Sequence, residues 1–167
     1  MGAGILVSLD EYLETAYSPD REYVDGAIVE RNVGERPHSI VQRNLTVVID
    51  TRYPNFWVLP GCRVRTLEGR CRVPDVCVLL EDPGTDVIEI PPFLVIEILS
   101  RHDAMADVLE KLDEYHAAGV RNIWLIDPRK KKAFTIVDGR FNEVAAEELV
   151  TESPEIRLTF AEIFRGL

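Results

Sequence analysis

Glu97 is the residue whose surroundings most demand chemistry. It lies within Phe93-Leu-Val-Ile-Glu-Ile-Leu99, with isoleucine on both sides. A carboxylate that leaves water unpaired costs several kcal/mol or takes up a proton. Such a group calls for a cation: an arginine, a lysine or a metal ion. From this residue alone, a structural salt bridge and a metal site both stand. Asp75 changes the weighting. It follows Pro74 and opens an apolar stretch over 76–80, and proline marks the start or edge of a strand. If strands 71–80 and 93–99 are neighbours, the two carboxylates converge, and they repel unless a cation lies between them. Mg²⁺ or Mn²⁺ suits this arrangement, with oxygen ligands and open positions for water and phosphate. Taken alone, Pro-Asp is an ordinary turn or strand-start pair.

Lys111 is the third element. On a helix spanning 103–118, Met105, Val108, Leu112 and Tyr115 form the apolar stripe. Lys111 falls about 80° from the centre of that stripe, at the border of the buried face. Asp107, one turn earlier, is placed to steady it; a solvated ion pair is the plainer alternative. Together the three residues suggest metal-assisted phosphodiester hydrolysis. The metal would bind the scissile phosphate and lower the pKa of a water. Lys111 would orient that water or offset charge in the transition state.

The elements that must position these residues can be read from pattern. Ser8-Leu-Asp-Glu11 is a capping-box sequence opening a helix to about Thr15. Residues 22–31 read as a hairpin turning at Asp25-Gly26. A helix starts near Pro37 and stops at Pro54, with Val41, Leu45, Val48 and Arg52 on one stripe and Ile49 beside it. Strands are expected over 56–59, 62–67, 71–80, 93–99 and 122–127, then a hairpin of 133–137 and 140–144 about Asp138-Gly139. A last strand over 155–158 and a short helix over 159–164 follow. Strand 93–99, the helix and strand 122–127 make a right-handed βαβ unit. The remaining strands are antiparallel. The expected fold is α/β, a mixed sheet flanked by helices.

Composition bounds the partners. The 167 residues suit a single domain with a real core. The net charge of −10, from 19 basic and 29 acidic residues, argues against a general nucleic-acid binder. It leaves room for an enzyme whose carboxylates hold divalent cations. Cys62, Cys71 and Cys77 are odd in number and match no zinc spacing, so they read as packed, reduced thiols. No run reaches membrane-span length, and Met1–Leu9 lacks the pattern of a secretory leader, so a cytoplasmic location is the default expectation.

Four ordered blocks resemble the Uma family of restriction-endonuclease-like proteins, within the PD-(D/E)XK nuclease superfamily. They are Arg72-Val-Pro-Asp75; Phe93 through Glu97 to Ser100; Asp107-Val-Leu-Glu-Lys111-Leu-Asp-Glu-Tyr115; and Ala118 through Trp124 to Pro128. Arg21-Glu-Tyr-Val-Asp-Gly26 and His38 resemble the family's opening segment. The likeness runs from about Leu9 to Phe164.

The resemblance implies a restriction-endonuclease-like fold, with Asp75 and Glu97 as metal ligands joined by the backbone carbonyl of Ile98. It implies that the motif lysine, absent at Leu99, has moved to Lys111, and that Glu22 lines the site. Ser100-Arg-His-Asp103 departs from the family's usual Ser-Pro-Ser, which bears on the rim of the site. The implied activity is a Mg²⁺- or Mn²⁺-dependent DNA endonuclease, acting as a homodimer because cutting both strands needs two centres. The competing readings are a non-catalytic interaction domain that keeps the fold, favoured by the acidic charge, and an enzyme for a smaller phosphodiester.

Weaker signals remain. Arg63 and Arg65 share one strand face and could grip DNA or pair with surface acids. His38 reads as a cap, a surface residue or part of the site rim. Arg129-Lys-Lys-Lys132 reads as a solvated turn, His102 and His116 as surface residues, and Trp57 and Trp124 as core. The strand near 133–137 is a candidate dimer edge.

Overall fold

Ser8 opens the first helix as its capping sequence predicts: Ser8 Oγ accepts from the Glu11 N–H at 3.1 Å. The computed structural model describes residues 6–32 and 34–167. The leader reading of Met1–Leu9 therefore falls, in its first five residues, outside the described residues.

Helix α1 (Leu9–Glu14) leads into hairpin β1 (Glu22–Val24) and β2 (Ala27–Val29). Its turn residues Asp25 and Gly26 both have positive φ, 49° and 92°, which a tight two-residue hairpin requires. Helix α2 (Arg36–Arg52) follows, then β3 (Trp57–Pro60), β4 (Val64–Arg65), β5 (Arg70–Arg72), β6 (Val76–Leu79) and β7 (Leu94–Ile98). Helix α3 (Met105–Ala117) crosses to β8 (Asn122–Asp127), which turns into β9 (Lys132–Val137) and β10 (Arg140–Glu143). The chain ends with β11 (Glu148–Val150), β12 (Arg157–Thr159) and α4 (Phe160–Ile163).

The central sheet has the order β10-β9-β8-β7-β6-β3, with β7 and β8 parallel and the other pairs antiparallel. A second sheet, β2-β1-β5-β4, is antiparallel, and β11 pairs with β12. The expected α/β fold with a βαβ unit and antiparallel hairpins is the fold observed. Strand alternation sorts side chains between two layers. Leu94, Ile96 and Ile98 pack with Val41, Leu45 and Ile49 of α2. Val95 packs on the opposite face with Leu112 and Tyr115 of α3. Glu97 shares the parity of Val95 and so faces α3.

Several boundaries differ from the pattern-based expectation. The stretch 71–80 is two strands in two sheets: β5 ends at Arg72, the chain passes through Val73-Pro74-Asp75, and β6 starts in the central sheet. The proline supplies the break. Strand β9 is internal, and the free edge is β10. Strand β11 was not expected at all. On α2 the buried positions are His38, Val41, Asn44, Leu45 and Ile49; Val48 is partly buried against the same core, and the stripe stops short of the exposed Arg52. Met105 is half-exposed, and Trp57 is 44 % exposed because β3 is the other sheet edge. Trp124 is core as expected. Residues 129–132 join β8 to β9 as a turn running into β9's first residue, and His102 and His116 are exposed. The three cysteines are free, with Cys71 and Cys77 buried. Among the described residues no helix is long and apolar enough to cross a membrane.

Candidate functional site

Register brings the two acids together. Val76 of β6 pairs with Ile96 of β7, and one further step sets Asp75 across from Glu97. Asp75 Oδ2 accepts from the backbone N–H of Ile98 at 2.8 Å, which ties the β5–β6 junction to the end of β7. The same arithmetic holds in the smaller sheet. Tyr23 pairs with Cys71, so the next pair is Glu22 and Arg72, and Arg72 Nη1 donates to Glu22 Oε2 at 3.1 Å.

Helix α3 supplies the groups that close over them. Lys111, Glu114 and Tyr115 lie three and four residues apart and thus on one face. The helix ends in a Schellman motif, in which Val120 N–H reaches Tyr115 O and Gly119 N–H reaches His116 O, both at 3.0 Å. Gly119 has φ 92°, as this cap needs. The cap anchors the turn that carries Tyr115.

Lys111 Nζ lies 2.8 Å from Glu22 Oε1 and 3.0 Å from Glu97 Oε1. Tyr115 Oη donates to the same Glu97 oxygen at 2.8 Å. On the other side, Asp75 Oδ1 takes Arg31 Nη2 and Asp75 Oδ2 takes His38 Nε2, each at 3.1 Å. All of these except Tyr115 line a cleft of about 470 Å³.

Asp75 is 4 % and Glu97 7 % exposed, yet they titrate in opposite directions. Burial pushes Asp75 up, but the His38 hydrogen bond and the charges of His38, Lys111 and Arg31 hold it below the usual carboxylate range. Glu97 stands raised to about 7, chiefly by burial. Lys111 pulls it down, Asp75 and Glu22 push it further up, and Tyr115 offsets only part. Lys111 is held above its ordinary value, since Glu97, Glu22 and Asp75 outweigh burial. Tyr115 is raised well above 10 by burial and the nearby carboxylates, so it stays a phenol donor.

Read along its contacts, the cluster alternates in sign. Arg70 meets Glu114, Glu114 meets Arg72, Arg72 meets Glu22, Glu22 meets Lys111 and Lys111 meets Glu97. Alternation resumes beyond Asp75 with Arg31 and His38. It breaks where Glu97 faces Asp75. There the Lys111 and Tyr115 contacts of Glu97 both fall on Oε1, and the only buried, unpartnered side-chain atom among the described residues is His38 Nδ1.

That break is the chemical test for a divalent cation, and the donor set fits. Two carboxylates from adjacent strands lie close enough for Asp75 to raise Glu97, and Mg²⁺ is commonly held by one or two carboxylates with waters completing its shell. Among the described residues no group of three or more His, Cys, Asp and Glu side chains forms a full cage.

The residues singled out from sequence therefore separate. Asp75, Glu97, Lys111 and Glu22 come together, and Ile98 joins them through its N–H. His38 is neither cap nor surface residue: it lies within the first turn of α2, buried against Asp75. Asp107 lines the cleft, but the partners that steady Lys111 are Glu22 and Glu97. Arg63 and Arg65 lie outside the cleft lining. Arg63 is bound to Asp20 and Arg65 to Glu89. At the rim, Asp103 accepts from the Ser100 N–H at 2.7 Å and from Asn32 Nδ2 at 2.5 Å, a use for the departure at Ser100–Asp103. Sequence reasoning missed Arg31, Arg72, Glu114 and the polar role of Tyr115. The signal for Tyr115 was its position one turn after Lys111.

Residues 9–163 match the model of the Uma2 family, whose description is "Putative restriction endonuclease". The chain belongs to this family. Uma2 membership supports nuclease function in general terms. Among solved structures, the chain is similar to "a putative nuclease belonging to DUF820" from Anabaena variabilis, with 23% identity and a TM-score of 0.79. The match covers 95% of this chain and 97% of that one, and at this identity it speaks for the fold alone. No curated protein matches.

Proposed function

We propose that this Uma2 member is a Mg²⁺- or Mn²⁺-dependent DNA endonuclease that hydrolyses phosphodiester bonds. The observation carrying the reading is the break in charge alternation between Asp75 and Glu97, beside the Lys111 ammonium. Asp75 and Glu97 would hold the ion, and the backbone carbonyl of Ile98 is the third candidate ligand. The bound ion supplies Lewis acidity and a water of lowered pKa. Lys111, charged and held at 3.0 Å from Glu97, faces incoming phosphate oxygen and offsets the negative charge that grows on it. Tyr115 and Lys111 both bind Glu97 Oε1, which leaves Oε2 for the cation. Arg31 and His38 hold Asp75 ionised. Cutting both strands of a duplex needs two such centres, hence a homodimer.

Calorimetric titration with Mn²⁺ and a cleavage assay on a labelled DNA duplex test this reading. Wild-type chain should bind Mn²⁺ and cut. Asp75→Ala and Glu97→Ala should each lose both properties while keeping the far-ultraviolet circular dichroism of the fold. Cleavage that persists in both variants would sink the assignment. A wild-type chain that binds no Mn²⁺ points instead to an interaction domain.

A further inference from the structure

Behind Lys111 stand charges that take no part in the proposed chemistry. Glu114 is 4 % exposed, and both of its oxygens are engaged. The Thr66 hydroxyl donates to Oε1. Oε2 accepts from Arg70 Nη1 at 2.8 Å, Arg72 Nε at 3.0 Å and Arg72 Nη2 at 2.6 Å. The remaining Arg72 nitrogen, Nη1, donates to Glu22 Oε2. Glu22 Oε1 accepts from the Val73 N–H at 3.1 Å and takes Lys111 at 2.8 Å. Both Glu22 oxygens are thus engaged by its neighbours, one of them the lysine.

These contacts form a closed circuit. It leaves α3 at Glu114, passes through β5 at Arg72 and β1 at Glu22, and returns to α3 at Lys111. A guanidinium locked between two carboxylates permits one orientation of its fork. A lysine stem is flexible and its ammonium is a rotating point charge. Bound only to Glu97, it would swing. Glu22, fixed from behind, gives it a second acceptor and so a direction.

We propose that Glu114 and Arg72 are positioning residues which, through Glu22, aim the Lys111 ammonium into the cleft beside Glu97. The proposal rests on Lys111 as the group beside the phosphate. The competing account is a staple that only fastens the smaller sheet to α3.

Glu114→Gln keeps the size of the side chain and removes its charge, so it separates the two. Acylation of Lys111 by N-succinimidyl acetate at fixed pH, read by peptide mass spectrometry, is compared with that of the exposed Lys130. Cleavage kinetics with Mn²⁺ are measured in parallel. The expected result is a Lys111/Lys130 labelling ratio raised about tenfold and a kcat lowered about 10–100-fold, the usual effect of losing an outer-shell partner. KM and Mn²⁺ affinity should stay within about twofold. An unchanged labelling ratio and kcat in a variant that melts lower would overturn the proposal in favour of the staple. Should Glu114→Gln not fold, Arg72→Lys, which keeps the charge and drops the fork, is read the same way. Failure of the wild-type chain to cleave any DNA strikes the nuclease reading, while the labelling ratio still decides whether Glu114 holds Lys111.

Discussion

Two clusters of arginine and carboxylate lie near the N-terminal segment, and they differ in how their charges close. Around Arg63, Asp20 takes the guanidinium Nε at 3.2 and 3.1 Å and Nη2 at 2.6 Å. The remaining reach of Arg63 goes to the carbonyls of Tyr12, Leu13 and Thr15, the end of α1 where the helix dipole is negative. The guanidinium also sits 4.6 Å from the centroid of the Tyr12 ring. Donor and acceptor capacity match, and nothing remains for a ligand. In the cleft, the same residue types leave two carboxylates, Asp75 and Glu97, close enough to repel, with no side-chain cation among the described residues bridging them. A dense set of ion pairs does not by itself mark a site; a break in the alternation does, when it faces a cleft.

The comparison can be broken most forcefully at Lys111. With Mn²⁺ present, Lys111→Met is expected to slow cleavage by about 10²–10³-fold, on the scale of removing one preorganised donor, while Mn²⁺ still binds. In the metal-free chain the same change removes the cation shared by Glu22 and Glu97 and costs up to about 3–5 kcal/mol, so the kinetics are compared well below the variant's melting temperature. Cleavage at the wild-type rate would make Lys111 part of a structural cluster like that of Arg63.

A second test uses the proton. Glu97 titrates at about 7 in the folded chain against an ordinary 4.5. Between those values the folded state binds more protons than the unfolded state, so this group's contribution to stability falls as pH rises. In EDTA, wild type should lose ground to Glu97→Gln from about pH 4.5 to about pH 7, by up to about 3 kcal/mol. Denaturant melts across that window give the difference curve. A flat curve would mean that Lys111 and Tyr115 fully offset the burial of Glu97.

The smallest effects belong to the closed cluster. Arg63→Ala should cost about 1–2 kcal/mol, the loss of charged hydrogen bonds from a partly buried group. Arg65→Ala, whose partner Glu89 is exposed, should cost less than about 0.5 kcal/mol. Neither should alter Mn²⁺ affinity or cleavage, and a tenfold loss of cleavage in either would restore the view that these arginines grip DNA.

Much of the site was legible before any coordinates. Glu97 stood out because its neighbours are apolar, and Asp75 because Pro74 places it at a strand start. Lys111 stood out because it lies at the border of an amphipathic face. Their convergence required only that β6 and β7 be neighbours, which the register supplies. Tyr115 was less legible, since the stripe that buries its ring says nothing of where its hydroxyl goes. Arg31, Arg72 and Glu114 gave no local signal, because their partners lie 44, 50 and 42 residues away along the chain. His38 stayed open for the same reason: a polar residue in a helix's first turn reads equally as a cap, a surface residue or part of the site rim until Asp75 is beside it.

Periodicity and punctuation in the chain were enough to mark most of the elements, the βαβ crossover and three candidate residues for the cleft. These are local properties: apolar spacing dictates which side of a segment is buried, and proline and glycine dictate where segments stop. Only the tertiary structure decided which charge meets which. Pairing across β1 and β5, and the docking of α3 on the sheet, are set by side chains far apart in sequence, and electrostatic partners are chosen by distance in space.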